Sequence, residues 1–297
     1  MLIDRCVVDR TLNWHERSGK LGVGIALNAI VLHREVTHFQ TIEVLEHQDF
    51  GRILTLDGYI QACQADEFIY HEMAVHVPLL GCNKGNVSVL IIGGGDGGIL
   101  REVLVHNFVA SVTMVEIDER VIELSNQYLG IEGNYSDPRV NLVIKDASQF
   151  VDDAINDNTL FDLIILDLTE PVGPSANLFT ESFVKNLSGL LTSTGVIVDS
   201  DSIFLSTSGG HFLQEESSGG ENLYNLIQRT KLLSHIDIYR SYIPFFPGAD
   251  FVFFLYGRSD ISLRQPFKKF LGRHYDSEIH RAAFILPTWQ RDWLLNI

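Results

Sequence analysis

The chain has 297 residues, 45% of them hydrophobic, with a formal net charge of −16. That length buries a full core and exceeds one average domain, while the charge argues against nucleic acid and anionic membrane as partners and suits a cationic small molecule. No apolar run reaches transmembrane length, Met1-Leu2-Ile3-Asp4-Arg5 opens without a signal-peptide core, and Cys6, Cys63 and Cys82 form no metal pattern, so a cytoplasmic protein with free thiols is expected.

From Asn13 to Cys63 the sequence alternates and turns often. Leu21–Leu27 is ambiguous between a strand and a helix start, Thr41–Glu46 alternates clearly, and Gly51–Gly58 reads as a strand followed by a turn. A small antiparallel β domain is expected over residues 1–64, with a second domain over 65–297. Glu67 to Leu80 has helical spacing, with Phe68, Met73, Val75 and Val77 on an apolar face and Pro78 near its end. Strands then alternate with helices: Val87–Ile92, Ser111–Ile117, Val140–Lys145, Leu163–Leu168 and Val196–Asp199 read as strands of a doubly wound α/β sheet. Ser206 to Glu221, rich in Gly and Ser, reads as a mobile loop.

The chemistry concentrates where the first of these strands ends. Val89–Ile92 runs into Gly93-Gly94-Gly95-Asp96-Gly97-Gly98 and then a helix start, the architecture of a nucleotide-binding βα unit. Glycines such as Gly93 and Gly95 let backbone approach a ligand, and the helix start offers free N–H groups. Asp96 is the unusual member. A carboxylate there repels pyrophosphate or a free amino-acid carboxylate and attracts an ammonium, so the loop suits a nucleoside with a positive arm. About twenty residues on, Glu116 ends the next strand, where an acid holds ribose hydroxyls. Alone, the glycines read as a flexible turn and Glu116 as a solvated strand end; together, in register on successive βα units, they favour a nucleoside site. Asp167 and Glu170 lie just past another strand end, three residues apart, so both can face one cleft.

Several stretches resemble the polyamine aminopropyltransferases, the spermidine synthase family. They are Trp14-His15-Glu16, His38-Phe39-Gln40, Leu56–Gln61, Asp66–Met73, Ile91–Gly98, Val115–Asp118, Asp137–Val140, Asp167–Pro174 and His280–Pro287. The resemblance covers nearly the whole chain. It implies a methyltransferase-like sheet with a late antiparallel hairpin near Ile236–Pro244 and Phe251–Tyr256. It implies transfer of a 3-aminopropyl group from decarboxylated S-adenosylmethionine, as co-substrate, to an amine, usually putrescine. No tightly bound cofactor and no metal are then expected, and a homodimer or larger assembly is. Asp96 would meet the donor's ammonium, Glu116 the ribose, and Asp146 the adenine amino group, with Ala147 beside it where the family usually has glycine. Gln40 and Pro174 match positions around the nucleoside. Gln61, Tyr70 and His71 match positions around the aminopropyl and amine channel, and Asp167 matches the proton acceptor. His71 and Glu72 read as part of a packed helix rather than a metal site, and His280 as structural.

The acceptor side departs from the family pattern. Glu170 replaces an aspartate, Phe246 replaces a tyrosine, and Gly195–Ser202 offers Asp199 and Asp201 where a glutamine is often found. Donor motifs are nearly intact. A changed or relaxed acceptor (cadaverine, agmatine or spermidine) is therefore an alternative to putrescine. A methyltransferase using intact S-adenosylmethionine is disfavoured by Asp96. A catalytically silent relative is disfavoured by Asp96, Asp167 and Tyr70 together.

Overall fold

The computed structural model describes residues 11–16, 24–169, 173–207, 209–212, 222–246, 250–258 and 262–294. Cys6, Glu170 and, of the Gly/Ser stretch, Ser208 and residues 213–221 lie outside them, while Gly209–Phe212 of that stretch pairs as a strand rather than forming the expected loop.

Five antiparallel strands form the first sheet in chain order: β1 (Thr11–His15), β2 (Ala26–Val36), β3 (Thr41–His47), β4 (Gly51–Leu56) and β5 (Tyr59–Cys63). The β4–β5 hairpin closes on Asp57-Gly58, both at positive φ (51° and 82°), the two-residue turn whose twist matches its strands. Although β3 alternates in sequence, both of its faces are covered. Ile42 and Val44 pack with Val121 and Leu124, and Leu45 packs with Ile53 and Phe245.

Helix α1 (Glu67–Gly81) follows, with Pro78 in its last turn. It is buried on nearly every side, including the charged or polar Glu67, His71, Glu72 and His76, so it is a central helix rather than an amphipathic surface one. Burying such groups demands partners, and those partners build the site below.

The second sheet is carried by β6 (Val87–Gly93), β7 (Val109–Glu116), β8 (Val140–Ile144), β9 (Phe161–Asp167), β10 (Leu191–Ser206), β11 (Gly209–Phe212), β12 (His235–Ser241) and β13 (Asp250–Gly257). Between and after them come α2 (Gly98–Leu104), α3 (Glu119–Tyr128), α4 (Ala147–Asn156), a 3-10 turn (Gly173–Leu178), α5 (Glu181–Gly189), α6 (Leu223–Thr230), α7 (Ser277–Ala283) and α8 (Thr288–Leu294). Strand order is β12-β13-β10-β9-β6-β7-β8, with β11 beside β10. The run from β10 to β8 is parallel, and β13 is antiparallel to both its neighbours. Alternate residues feed two cores: Val89 and Ile91 face one, Leu90 and Ile92 the other. β10 runs well beyond the expected Val196–Asp199. Its Asp-Ser-Asp-Ser stretch breaks the apolar pattern, while pairing with β13 continues to Ile203↔Asp250.

Chain order moves outward to β7 and β8 on one side of β6 and to β9 and β10 on the other. β6 and β9 are therefore neighbours at the switch point, where a crevice opens at their carboxyl ends. Gly93 and Asp167 stand opposite each other there. Among the described residues no helix is long and apolar enough to cross a membrane.

Candidate active site

The glycine loop makes the first wall. Gly93 has φ 85°, and a Cβ there would stand 2.0 Å from the Asp167 carbonyl oxygen, so only glycine lets β6 turn this close to β9. Gly98 opens α2 directly against the His71 ring, where a Cβ would lie 2.2 Å from ring atoms. Between them Asp96 is held from both sides. Its Oδ1 accepts the Gly98 N–H at 2.8 Å, and its Oδ2 lies 3.1 Å from His71 Nε2. The other ring nitrogen, Nδ1, lies 2.5 Å from Glu67 Oε2. Burial works against a charged ring, but Asp96 and Glu67 outweigh it and push the His71 imidazole up to about 10. The ring is an imidazolium at neutral pH, donating from both nitrogens.

Strands β7 and β8 make the second wall. Glu116 is buried, and its Oε1 accepts the Asp118 N–H at 2.9 Å. Burial pushes its carboxyl up to about 7 against that hydrogen bond and one from Ile117, and the charges of Asp118 and Asp167 add to the rise. Asp118 caps α3 and accepts from Thr37 Oγ1 at 2.7 Å and Gln40 Nε2 at 3.2 Å, tying the first sheet to the second. Asp146 caps α4: its Oδ1 accepts the Ser148 and Gln149 N–H groups and the Ser148 hydroxyl.

The third wall is β9 with α1. Asp167 Oδ1 accepts the Tyr70 hydroxyl at 2.7 Å, and that hydroxyl is 3.3 Å from Ser200 Oγ. Burial and then the Asp96 charge push the Asp167 carboxyl up to about 6, while His71 and the Tyr70 hydrogen bond pull the other way. One ligand atom each from His71, Asp96 and Asp167 lies within 4.8 Å of the others. By residue type that set suits a divalent cation, but with both nitrogens donating to carboxylates the His71 ring has no lone pair for one.

Gln40, Gln61, Tyr70, His71, Gly93, Gly95, Asp96, Glu116, Asp146, Ala147, Asp167 and Phe246 all line a single cleft. Pro174 falls in the 3-10 turn, whose Ser175 and Leu178 line the cleft. Of the two extra acids on β10, Asp201 lines the cleft; Asp199 is buried, pushed up to about 7 by burial, and is not part of the lining. Phe246 meets Phe251 edge-on at 5.4 Å. His280 is buried between Tyr275 Oη and the Leu263 carbonyl, far from any cleft-lining role. Glu67, Lys145 and Ser200 also line the cleft and were not singled out from the sequence. Glu67 did leave a signal there, since it stands four residues before His71 on one helix face.

Two family models match the chain: Spermidine synthase tetramerisation domain over residues 14–64, and Spermine/spermidine synthase domain over residues 67–259. A polyamine aminopropyltransferase of Escherichia coli O1:K1 / APEC is 38% identical over 299 residues, covering 95% of this chain and 97% of the relative. One from Enterobacter sp. (strain 638) is 36% identical over 305 residues, covering 97% and 98%. Among solved structures, a spermidine synthase in complex with the transition state analogue AdoDATO superposes with a TM-score of 0.80 at 29% identity, covering 96% of this chain and 95% of that one. The spermidine synthase of Thermotoga maritima gives 0.79 at 29% identity, covering 96% and 94%. Fold, cleft and relatives together define an enzyme of the aminopropyltransferase class. Within that class, the chain belongs to the spermine/spermidine synthase family.

Proposed function

We propose that this enzyme moves a 3-aminopropyl group from decarboxylated S-adenosylmethionine to putrescine, giving spermidine and 5′-methylthioadenosine. The observation that carries the reading is the seat for a cation at the inner end of a nucleoside cleft. There the Asp96 carboxylate is pinned by Gly98 and His71, with Asp167 within 4.8 Å of both side chains. A methyl donor with its own carboxylate would set that group against Asp96. In this reading Glu116 takes the ribose hydroxyls, Asp146 and Ala147 the adenine edge, and Gln40 and Pro174 the nucleoside's flanks. Tyr70, His71, Gln61, Glu170 and Phe246 border the amine channel.

The chemistry needs no activated intermediate. The amine nitrogen attacks the carbon next to the sulfonium, a C–N bond forms, and the C–S electrons return to sulfur. Alignment of the two substrates is the main task. The attacking nitrogen must first lose a proton. With Asp167 pushed up to about 6, taking that proton from an ammonium near ~10 is uphill by roughly 5 kcal/mol, against roughly 8 for an ordinary aspartate near ~4. Tyr70 occupies Asp167 Oδ1 and leaves Oδ2 for the amine.

A second reading, a different or broader acceptor, is favoured by Phe246 and Asp201. The first offers the cleft no hydroxyl, and the second adds a carboxylate to its wall. The remaining proposals are a division at residues 1–64 and 65–297, cytoplasmic work with free thiols, and a homodimer or larger assembly; the matched tetramerisation model supports the last. The test is release of 5′-methylthioadenosine from decarboxylated S-adenosylmethionine with putrescine, cadaverine, agmatine and spermidine in turn. Amine-dependent release is expected, fastest with putrescine in the first reading. No release with any amine refutes both readings.

A further inference from the structure

We propose that Glu67 and Arg101 are a positioning pair that acts through the His71 ring to hold the Asp96 carboxylate where it meets the donor's cationic arm. The inference rests on the aminopropyltransferase reading and deepens it.

Glu67 opens α1 and Arg101 sits on α2, the helix that grows out of the glycine loop. The Arg101 fork grips one carboxylate with two prongs: Nη1 donates to Glu67 Oε1 at 3.1 Å and Nη2 to Oε2 at 2.9 Å. Its Nε donates to Glu102 Oε1 at 2.7 Å. Behind that, Glu102 Oε2 lies 3.2 Å from His76 Nε2, and His76 Nδ1 lies 3.0 Å from His106 Nε2. A two-pronged grip fixes the plane of a carboxylate as well as its place. Glu67 Oε2, so fixed, takes His71 Nδ1 at 2.5 Å, and the ring's far side presents Nε2 to Asp96 Oδ2. The ring also stands so close to Gly98 that any Cβ there would collide with it. Asp96 then has one oxygen on a backbone N–H and one on a fixed ring. Tying α1 to α2 needs only Arg101 and Glu67; the third partner passes their geometry to the residue that selects the donor.

Charge makes the arrangement testable. The groups facing His71 are Glu67 and Tyr70 on its own helix, Asp96 in the loop and Asp167 on β9, with Arg101 of α2 behind Glu67 and Glu102 behind Arg101. Tyr135 feels the charges of both Asp96 and Glu116. With two carboxylates on it, the ring keeps both protons. With the Glu67 charge removed, the ring gives up a proton at a lower pH, and gives it up from Nδ1, because the Asp96 carboxylate holds the one on Nε2. Nδ1 is then no longer anchored by a charge-assisted bond to the forked carboxylate, the ring is freer to shift, and Asp96 loses its fixed place against the ammonium.

The experiment is calorimetric binding of decarboxylated S-adenosylmethionine and of 5′-methylthioadenosine, which lacks the ammonium, from pH 6.5 to 9. Parent, Glu67→Gln and Arg101→Lys are compared, and the His71 ring is titrated by nitrogen NMR in the ligand-free proteins. At pH 9, Glu67→Gln should lose at least tenfold in donor affinity while the methylthioadenosine constant stays within threefold. The donor loss should shrink toward pH 6.5, and the His71 midpoint should fall. Arg101→Lys, which keeps the charge but not the fork, should lose less in the same direction. Equal loss for both ligands, or an unmoved His71 midpoint, overturns the proposal in favour of a simple tie between helices. Should the parent bind neither nucleoside, the aminopropyltransferase reading falls, and the ring titration still decides whether Glu67 and Arg101 hold His71.

Discussion

Replacing Asp167 with asparagine should make the enzyme slower and the empty protein more stable at once. Asparagine keeps an Oδ1 acceptor for the Tyr70 hydroxyl, now 2.7 Å away, so the wall of the cleft should survive. What goes is the charge that orients the amine and takes its proton. A positioned acid–base group contributes about 10²–10⁴ in rate, or roughly 3–5 kcal/mol of barrier. Binding of 5′-methylthioadenosine should change little, because it makes no demand on that charge. Stability should move the other way. The carboxyl stands at about 6 in the folded protein against 3.8 ordinarily, and each pH unit is worth ~1.4 kcal/mol. Above pH 6 the ionised group therefore costs the folded state up to about 3 kcal/mol. That cost shrinks as pH falls from 6 and is gone only below about 3.8, where Asp167 is protonated whether folded or not. Asp167→Asn should raise the Tm of the ligand-free protein by several degrees at pH 7.5 and by less near pH 4.5. Steady-state turnover at saturating substrates and melting at the two pH values check both halves. Unchanged turnover would remove Asp167 from the chemistry, and a lower Tm at pH 7.5 would refute the account of its burial.

Asp96→Asn should cost tenfold or more in affinity for decarboxylated S-adenosylmethionine, the value of about 1.5–3 kcal/mol for one hydrogen bond to a charged group. It should also shrink the preference over intact S-adenosylmethionine, and equal affinities in the parent, by calorimetry, would rule out the pairing. Glu116 is held up at about 7, so its carboxylate forms only as pH rises through that value. Affinity for 5′-methylthioadenosine should accordingly climb between pH 6 and 8, and Glu116→Gln should flatten the climb; a parallel climb in both proteins refutes the ribose role. Phe246→Tyr should lower the KM for putrescine by about tenfold, on the same hydrogen-bond value, and an unchanged amine preference across a panel would clear Phe246 of any part in acceptor choice.

The donor half of the cleft was legible because its signals are local. Gly93 to Gly98 and Glu116 sit at strand ends that periodicity finds on its own, and the register Gly93↔Asp167 follows from the doubly wound topology. Residues whose role depends on distant segments were harder to place. Gln40 donates to Asp118, 78 residues on, and Tyr70 to Asp167, 97 residues on. No window of sequence contains either pair, and only the family resemblance brought Gln40 and Tyr70 to notice. The Glu67–Arg101 fork was hidden for a related reason. Charged residues on a helix normally read as a solvated face, whereas α1 packs against α2 and strands of the second sheet and buries them. On β10 the same rule misled in reverse: Asp199 and Asp201 looked like the end of a strand and are buried within a longer one.

The charge balance of the cleft explains why so many acids are tolerated in one place. Asp96, Glu116 and Asp167 converge on a partly dry crevice, with the His71 cation among them and Arg101 one residue further back. Burial and mutual repulsion raise Glu116 to about 7 and Asp167 to about 6, so the empty cleft is under electrostatic load at neutral pH. A ligand bringing positive charge relieves that load, and the relief adds to its binding energy. The sign follows directly: acidification protonates the raised acids first, lifts the load, and takes away the attraction for ammonium groups with it. The contribution of Glu116 and Asp167 to the stability of the ligand-free enzyme and the affinity for cations should therefore run in opposite directions between pH 8 and pH 5. The net charge of −16 extends the same preference outward, since an acidic surface raises the encounter rate of cationic substrates and loses that advantage as salt screens it.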